Sequence, residues 1–370
     1  MQAAILRDKS GSLNIEEIKI DKPDRNEVLI QTVASGLCHS DLHFIDGSWS
    51  DFAIYPMLLG HEASGVVQAV GEDVVGVEVG DHVITCLSIF CGRCDRCLTG
   101  HSYICSHRQE IADRPIGKPP RLVDGDGNAV NQFTGLGSFG QEMLVHQNGV
   151  VKISPDMPLD RAALIGCGVT TGVGAVFRTA EVKPGSTVAV VGCGGVGISA
   201  VQGAHLAGAR QIIAVDKLGY RLQTSLKMGA TDVVDSSEVD PEEAVMSLTD
   251  GAGADLVIEV VGHTEQVLNL CVDLCRVDGT ILFFGVPMTL IDQIEWRKLF
   301  WRRQNIVTSV GPDFRTDFPL AMQWIAEKRM DVSPLITHRY PLADVQRAFD
   351  QYHARSDEGL KILLDFPSAQ

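Results

Sequence analysis

The sequence predicts an α/β protein in which a doubly wound parallel sheet is joined to a mostly antiparallel, barrel-like β unit. Three observations predict it. From about Thr170 onward, short apolar runs alternate with helix-length stretches, the rhythm of a parallel sheet with crossover helices. Before about residue 150 the chain is rich in Val and Gly, and its short apolar runs are bounded by Gly, Pro and Asp, as in strands joined by turns. Between a strand-like and a helix-like stretch lies Gly192-Cys193-Gly194-Gly195-Val196-Gly197, the pattern Gly-x-Gly-x-x-Gly.

In the first region, 27–33 and 65–70 read as strands. Residues 114–140 carry Pro115, Pro119, Pro120 and Asp124-Gly125-Asp126-Gly127-Asn128 with few apolar residues, so a long surface excursion is expected there. In the second region 187–191 reads as a buried strand and 196–207 as a helix. Residues 211–215 form the next strand, 221–228 a helix, and 232–234, 254–261 and 280–284 further strands. Helices are expected over 319–328 and 341–352. The apolar tail Leu360-Lys361-Ile362-Leu363-Leu364 could return to the first region. The expected division is therefore 1–168, 169–311, and a returning 312–370.

Lys and Arg number 31 against 47 Asp and Glu, a net charge of −16. Such a balance disfavours a nucleic-acid partner, which would call for a basic surface, and adhesion to anionic lipid. No apolar run reaches membrane-spanning length. The opening Met1-Gln2-Ala3-Ala4-Ile5-Leu6-Arg7-Asp8 has no cationic region leading into a signal core, so a cytoplasmic protein without a membrane partner is expected.

In the glycine loop, Gly192 permits the tight turn, Gly194 lets backbone approach a pyrophosphate, and Gly197 lets helix pack close to strand. Gly195 and Val196 open the helix, whose N-terminus offers N–H groups to phosphate. Asp216 ends the next strand, where a carboxylate can accept both ribose hydroxyls of NAD and repel the extra phosphate of NADP. Arg221 stands close enough to soften that preference. A glycine-rich turn without ligand is the rival reading.

Of the ten cysteines, Cys91, Cys94, Cys97 and Cys105 crowd together as C-x2-C-x2-C-x7-C. Four such thiolates can enclose one tetrahedral zinc with no open position, a structural site. Free thiols or an iron–sulfur cluster are the alternatives. Cys38, His61 and Cys167 are far apart in sequence, each beside glycine or other small residues. Two thiolates and an imidazole would leave a fourth zinc position open for catalysis, but spacing alone does not distinguish them from buried structural residues.

Gly60-His61-Glu62-Ala63-Ser64-Gly65, with Gly71 beyond it, resembles the zinc signature of the medium-chain alcohol dehydrogenases. The four-cysteine spacing, the glycine loop and the order of all three blocks resemble that family too, essentially from end to end. The resemblance implies a Rossmann domain for NAD and a GroES-like catalytic domain. It also implies two zinc ions per chain, one catalytic and one structural, and hydride exchange between an alcohol and NAD.

On that resemblance Cys38, His61 and Cys167 are the catalytic zinc ligands. Glu62 is the carboxylate that approaches the metal during ligand exchange, and Asp41 orients His61. Ser40 and His43 form the proton relay, by way of the nicotinamide ribose, because the alcohol must lose a proton before its carbon releases hydride. His39 meets the pyrophosphate where Arg is common in the family. Thr171 flanks the nicotinamide, Val196 lies behind its ring, and Lys361 reaches the phosphates. A solvated surface lysine is the rival reading for Lys361. His82, His101, His107, His146, His205, His263, His338 and His353 have no such context and read as structural.

Trp49, Leu87, Phe133 and Val286 fall at or near the family's substrate cleft. An apolar cleft suits an uncharged alcohol, and Leu87 in place of an aromatic residue widens it toward aryl, allylic or medium-chain primary alcohols. Polyol dehydrogenases usually have an acidic residue where this chain has Cys167. The glutathione-dependent formaldehyde branch has an acidic residue at the position of Trp49 and Arg at that of Gln109, although Arg108 is adjacent. A zinc-free quinone-type reductase has no use for Cys38, His61 and Cys167, and a non-catalytic zinc and nucleotide binder has none for Ser40 and His43. Members that keep the 114–140 insertion tend to be dimers, so a homodimer is expected, with a tetramer as the alternative.

Overall fold

The computed structural model describes all residues except 10, 116, 263, 287–292, 355–358 and 368–370, so His263 lies outside the described residues. The chain divides into two compact units. One comprises Met1–Gly168, Gly311–Ala326 and Leu335–Gln370; the other comprises Val169–Val310 and Glu327–Pro334.

In the first unit the long strand Glu27–Gly36 organises a mostly antiparallel, seven-stranded sheet. One edge pairs with Glu62–Val70, which in turn pairs with His82–Thr85. The other edge is shared: its first half pairs with Glu142–His146 and its last residues with Lys361–Asp365. Side chains alternate between two faces along a strand, so Val28 and Ile30 enter a core with Ala63, Val67, Val83, Met143 and Val145. The tail strand runs parallel to Ile336–Pro341. A four-stranded sheet (Leu13–Glu17, Gln2–Leu6, Met57–Leu58, Asn131–Gln132) accompanies it. Among its described residues, the 114–140 excursion contributes only the short strands Leu122–Val123 and Asn131–Gln132 and one 3₁₀ turn. It is pinned by buried ion pairs of Glu27 with Arg114 and Arg121, both at 2.7 Å.

The cysteine lobe is fastened to the returning chain within the same unit. Ser102 Oγ donates to the buried Asp313 at 2.7 Å, and the Phe90 and Phe314 rings lie 5.0 Å apart.

The second unit holds a six-stranded sheet whose neighbouring strands are all parallel, ordered Asp232–Asp235, Gln211–Asp216, Thr187–Val191, Ala254–Glu259, Cys275–Phe283, Asn305–Thr308. The strand of this sheet that comes first in sequence, Thr187–Val191, is buried along its length as TVAVV, the continuous run of a parallel strand covered on both faces. Strand order reverses between it and Ala254–Glu259, and in such sheets ligands bind beyond the carboxyl ends of the strands at the reversal.

Candidate active site and metal centres

Pairing of two strands brings the first metal candidates together. Gly36 ends one strand opposite Glu62, which begins the next. Cys38 therefore follows one strand end while His61 precedes its neighbour. Cys38 caps the short helix His39–Ile45. The carboxylate of Asp41 accepts from Cys38 N at 3.2 Å and from Gly60 N at 2.9 Å, tying both ligand-bearing turns together. Its Oδ1 also lies 3.4 Å from His61 Nδ1. Thr85 Oγ1 donates to the His61 carbonyl at 2.8 Å and accepts from Ala63 N at 2.9 Å. Cys167 arrives from the turn Leu164–Gly166. A Cβ on Gly166 would stand only 3.0 Å from Thr85 O and 3.4 Å from Glu62 Cα, so glycine permits that approach.

Cys38, His61 and Cys167 then each offer one ligand atom, all within 4.8 Å of one another. A hydrogen bond from Cys167, helped by His61 and Lys361, holds the Cys38 thiol well below its ordinary pKa despite burial. Burial opposes charge on His61, but Asp41 and Cys38 outweigh it and raise its pKa. Cys38 is thus biased toward thiolate, whereas the hydrogen bond with Cys38 and burial push the Cys167 thiol up; two sulfurs and an imidazole, largely buried, form a donor set that fits zinc with one position open. Glu62 is fully buried; burial pushes its carboxyl up to about 7 against the pull of Lys361. Its Oε1 has no hydrogen-bond partner among the described residues.

Lys361 is not a solvated surface charge. It is buried, and its Nζ donates to Glu62 Oε2 at 2.6 Å and to Leu37 O at 3.3 Å. The sequence offers no local signal for this pair, because the partners lie at opposite ends of the chain.

Ser40 Oγ lies 3.8 Å from Cys38 Sγ. His43 is buried, its ring 4.9 Å from that of Trp49. His39 faces Tyr352, Nδ1 to hydroxyl 3.4 Å. Phe133 lies edge-on to His61 at 5.2 Å and to Phe44 at 4.9 Å. Trp49 and Phe133 thus join the metal candidates in one aromatic cluster, with Phe44 and Tyr352 as members that sequence reasoning missed. Leu87 packs on the core around Val28 and Ile30.

Cys91, Cys94, Cys97 and Cys105 also gather within 4.8 Å. The sulfurs of Cys91 and Cys97, Cys94 and Cys97, and Cys94 and Cys105 lie 3.5–3.9 Å apart, matching the edge of a zinc–thiolate tetrahedron, about 3.8 Å for bonds of about 2.3 Å. Backbone N–H groups pull Cys94 down to about 6, whereas burial pushes Cys97 up to about 12. A shared cation would resolve that imbalance by stabilising all four thiolates.

In the second unit the glycine loop joins Thr187–Val191 to the helix Gly195–Leu206. Gly192 adopts φ +96°. A Cβ on Gly197 would fall 1.9 Å from Gly192 O, while one on Gly194 would meet nothing within 4 Å. The loop is thus closed toward the protein at Gly197 and open at Gly194, as a phosphate cradle requires. Asp216 accepts from Cys193 N at 2.7 Å and from Leu218 N at 3.0 Å, and Arg221 Nη1 stands 3.7 Å away. Thr171 is buried within Gly168–Gly174, and Val286 is exposed.

Comparison with known proteins agrees with these centres. Residues 24–155 match the family model described as alcohol dehydrogenase GroES-like domain, and residues 195–327 match zinc-binding dehydrogenase. The chain is 33% identical to S-(hydroxymethyl)glutathione dehydrogenase of Saccharomyces cerevisiae, over 95% of this chain and 93% of the relative. The structure of an alcohol dehydrogenase zinc-binding domain protein from Burkholderia ambifaria superimposes with TM-score 0.91 at 33% identity, covering 99% of this chain and 98% of the other. Benzyl alcohol dehydrogenase from Acinetobacter calcoaceticus gives TM-score 0.87 at 30% identity, covering 99% of each chain. With likeness running the full length and both cysteine clusters assembled, the chain belongs to the zinc-containing medium-chain alcohol dehydrogenases and is an enzyme of that family.

Proposed function

We propose that this enzyme oxidises an uncharged primary alcohol of aryl, allylic or medium-chain type to its aldehyde, reversibly, with NAD as hydride acceptor. The observation that carries the reading is the cluster of Cys38, His61 and Cys167 beside an aromatic wall of Trp49, Phe44 and Phe133. Zinc bound there supplies Lewis-acid polarisation of the alcohol oxygen. Ser40 accepts the hydroxyl proton and His43 passes it outward; Asp46, 4.0 Å from His43 Nδ1, lies toward solvent. Asp41 orients His61, and Glu62 assists ligand exchange. His39 and Lys361 serve the coenzyme phosphates, and Thr171, Gly192, Gly194, Gly195, Val196, Gly197, Asp216 and Arg221 form the rest of its site. Leu87 and Val286 complete the substrate lining. Cys91, Cys94, Cys97 and Cys105 hold a second, structural zinc. In this reading the catalytic domain is 1–168 with the return of 312–370, although Glu327–Pro334 cluster with the second unit, and 169–311 binds NAD.

The benzyl alcohol specificity named for one structural neighbour favours an aromatic alcohol. The name of the yeast relative favours S-(hydroxymethyl)glutathione instead. Against the second stands Arg108, the nearest substitute for the missing Arg at Gln109: it is half-buried and donates to Tyr103 O at 2.6 Å.

A homodimer and a cytoplasmic location belong to the same proposal. Trp296, Phe300 and Trp301 are 67%, 73% and 74% exposed on one helix, and Asn305–Thr308 is the last strand of its sheet, so an apolar face and a strand edge are available to a second copy. Reduced thiols, which both cysteine clusters require, suit the cytoplasm.

Metal analysis and NADH absorbance test the function. Two zinc per chain, with NAD-dependent turnover of benzyl alcohol exceeding that of S-(hydroxymethyl)glutathione, is the expected outcome. Turnover confined to NADPH, or a single zinc, would overturn it.

A further inference from the structure

Glu259 ends the strand Ala254–Glu259 with its side chain fully buried. Burying a carboxylate is costly unless its oxygens are satisfied. Here Oε1 accepts from Val261 N at 2.7 Å and Gly262 N at 2.6 Å, and Oε2 accepts from Gly285 N at 3.2 Å. Its main-chain oxygen also takes Phe284 N at 2.9 Å and Gly285 N at 3.1 Å. One residue therefore joins the turn after its own strand to the turn after the neighbouring strand Cys275–Phe283.

The two turns touch. A Cβ on Gly285 would fall 2.1 Å from Gly262 N and 2.7 Å from Glu259 Oε2, and one on Gly262 would fall 2.7 Å from Val286 O. The first turn also backs the glycine loop. A Cβ on Gly192 would meet Val261 Cγ2 at 2.6 Å, and one on Gly197 would meet Val260 Cγ2 at 3.1 Å. Glu259 is thus one step behind the phosphate cradle, at the point where strand order reverses.

We infer that Glu259 is a positioning residue for the nicotinamide coenzyme: its carboxylate locks the Val260–Gly262 and Phe284–Val286 turns together so that the glycine loop keeps its binding shape. The inference rests on the reading of that loop as the coenzyme site. The chemistry asks for an acceptor on both oxygens. Gln could keep the Val261 and Gly262 bonds but would turn an amide N–H against the N–H of Gly285. An apolar residue would strand the Val261 and Gly262 donors and leave Gly285 N only the main-chain oxygen.

The test is NADH binding by fluorescence titration of the zinc-loaded enzyme, with thermal unfolding and alcohol kinetics beside it. Glu259→Ala should raise the NADH dissociation constant about tenfold and Glu259→Gln about threefold. Alcohol KM and kcat at saturating coenzyme should stay within about twofold, because no bond to the metal-ligand cluster is altered. A Glu259→Ala protein that melts earlier yet binds NADH as the wild type does would overturn the inference by showing a merely structural role. If that variant does not fold, Glu259→Gln decides: unchanged affinity overturns the inference and weakened affinity supports it. Gly197→Ala is the control, since its Cβ has no room. Loss of NADH binding there with unaltered binding in both Glu259 variants defeats this inference alone, whereas undiminished binding in Gly197→Ala defeats the coenzyme reading beneath it.

Discussion

Asp41 touches neither the proposed substrate nor the coenzyme, yet it fixes the spacing of two zinc-ligand candidates by accepting from Cys38 N and Gly60 N beside His61. Removing carboxylates that orient a ligating histidine typically costs metal affinity about 10–100-fold. Asp41→Ala should therefore give up its zinc to a chelator at a correspondingly lower concentration, with unfolding still cooperative; unchanged competition would refute the role. The pair of Glu62 and Lys361 poses the opposite case, two buried charges that satisfy each other. Lys361→Met leaves the carboxylate unpaired, which costs about 3–5 kcal/mol, and adding Glu62→Gln should recover most of that loss in urea unfolding. Additive losses in the double variant would show that the pair is not coupled. Cys38, His61 and Cys167 are legible in the sequence as ligand-type residues set among glycines and embedded in recognisable blocks. Lys361 reads as a basic residue on an apolar tail, assigned to the phosphates by resemblance; its pairing with Glu62 is not legible, because that partner is supplied by strand pairing across nearly the whole chain.

Elements with strong periodicity are legible to within a residue or two. The helix expected over 196–207 is Gly195–Leu206, and the strand expected over 211–215 is Gln211–Asp216. Glu27–Gly36 and Glu62–Val70 extend the strands expected there, because register with each other and with the tail adds residues that the apolar pattern does not mark. The helix expected over 341–352 starts later, at Val345, since Pro341 ends a strand. The helices Pro241–Leu248, Glu265–Leu274 and Trp296–Arg302 have no counterpart in the sequence reading; they are short, and the first two declare themselves mainly through the caps Asp240 and Thr264. His146 is legible only as structural, but its setting has a measurable consequence at the end of Glu142–His146. Its Nδ1 accepts from Asn148 N at 3.1 Å, which needs the neutral ring. Burial, helped by Arg121, pushes its pKa down to about 4. An unfolded histidine titrates near 6.5. Between those values the unfolded chain binds a proton that the native one does not, so stability falls as pH drops from about 6.5 toward about 4. His146→Asn keeps an acceptor without the titration. Its urea midpoint should lose less than the wild type between pH 7 and pH 4.5, and equal losses would exclude His146 as a source of acid sensitivity.

At the scale of the whole chain, connectivity decides what can be removed. The six-stranded sheet draws all its strands from 187–308, so its alternation is consecutive in sequence and easily read. The other unit is assembled from three separate stretches, and its central strand Glu27–Gly36 takes one of its neighbours from the far end of the described chain. Lys361–Asp365 lies between Glu27–Gly36 and Ile336–Pro341, a placement that no local pattern can announce. Ile362, Leu363 and Leu364 are fully buried there. Each contributes about 1.5–3 kcal/mol of burial, together comparable with the about 5–15 kcal/mol that holds a typical domain folded. Cutting the tail away would also remove Lys361 from Glu62, leave the last residues of Glu27–Gly36 paired on one edge only, and strip a side from the core containing Leu37, Leu42 and Phe44. A chain stopped after Gly359 should consequently fail to assemble the Cys38, His61 and Cys167 cluster even though all three residues remain. Purified under reducing conditions with zinc supplied, it should carry less than the full-length metal complement and lose near-ultraviolet circular dichroism. A soluble, fully zinc-loaded truncation would show instead that the tail strand is dispensable.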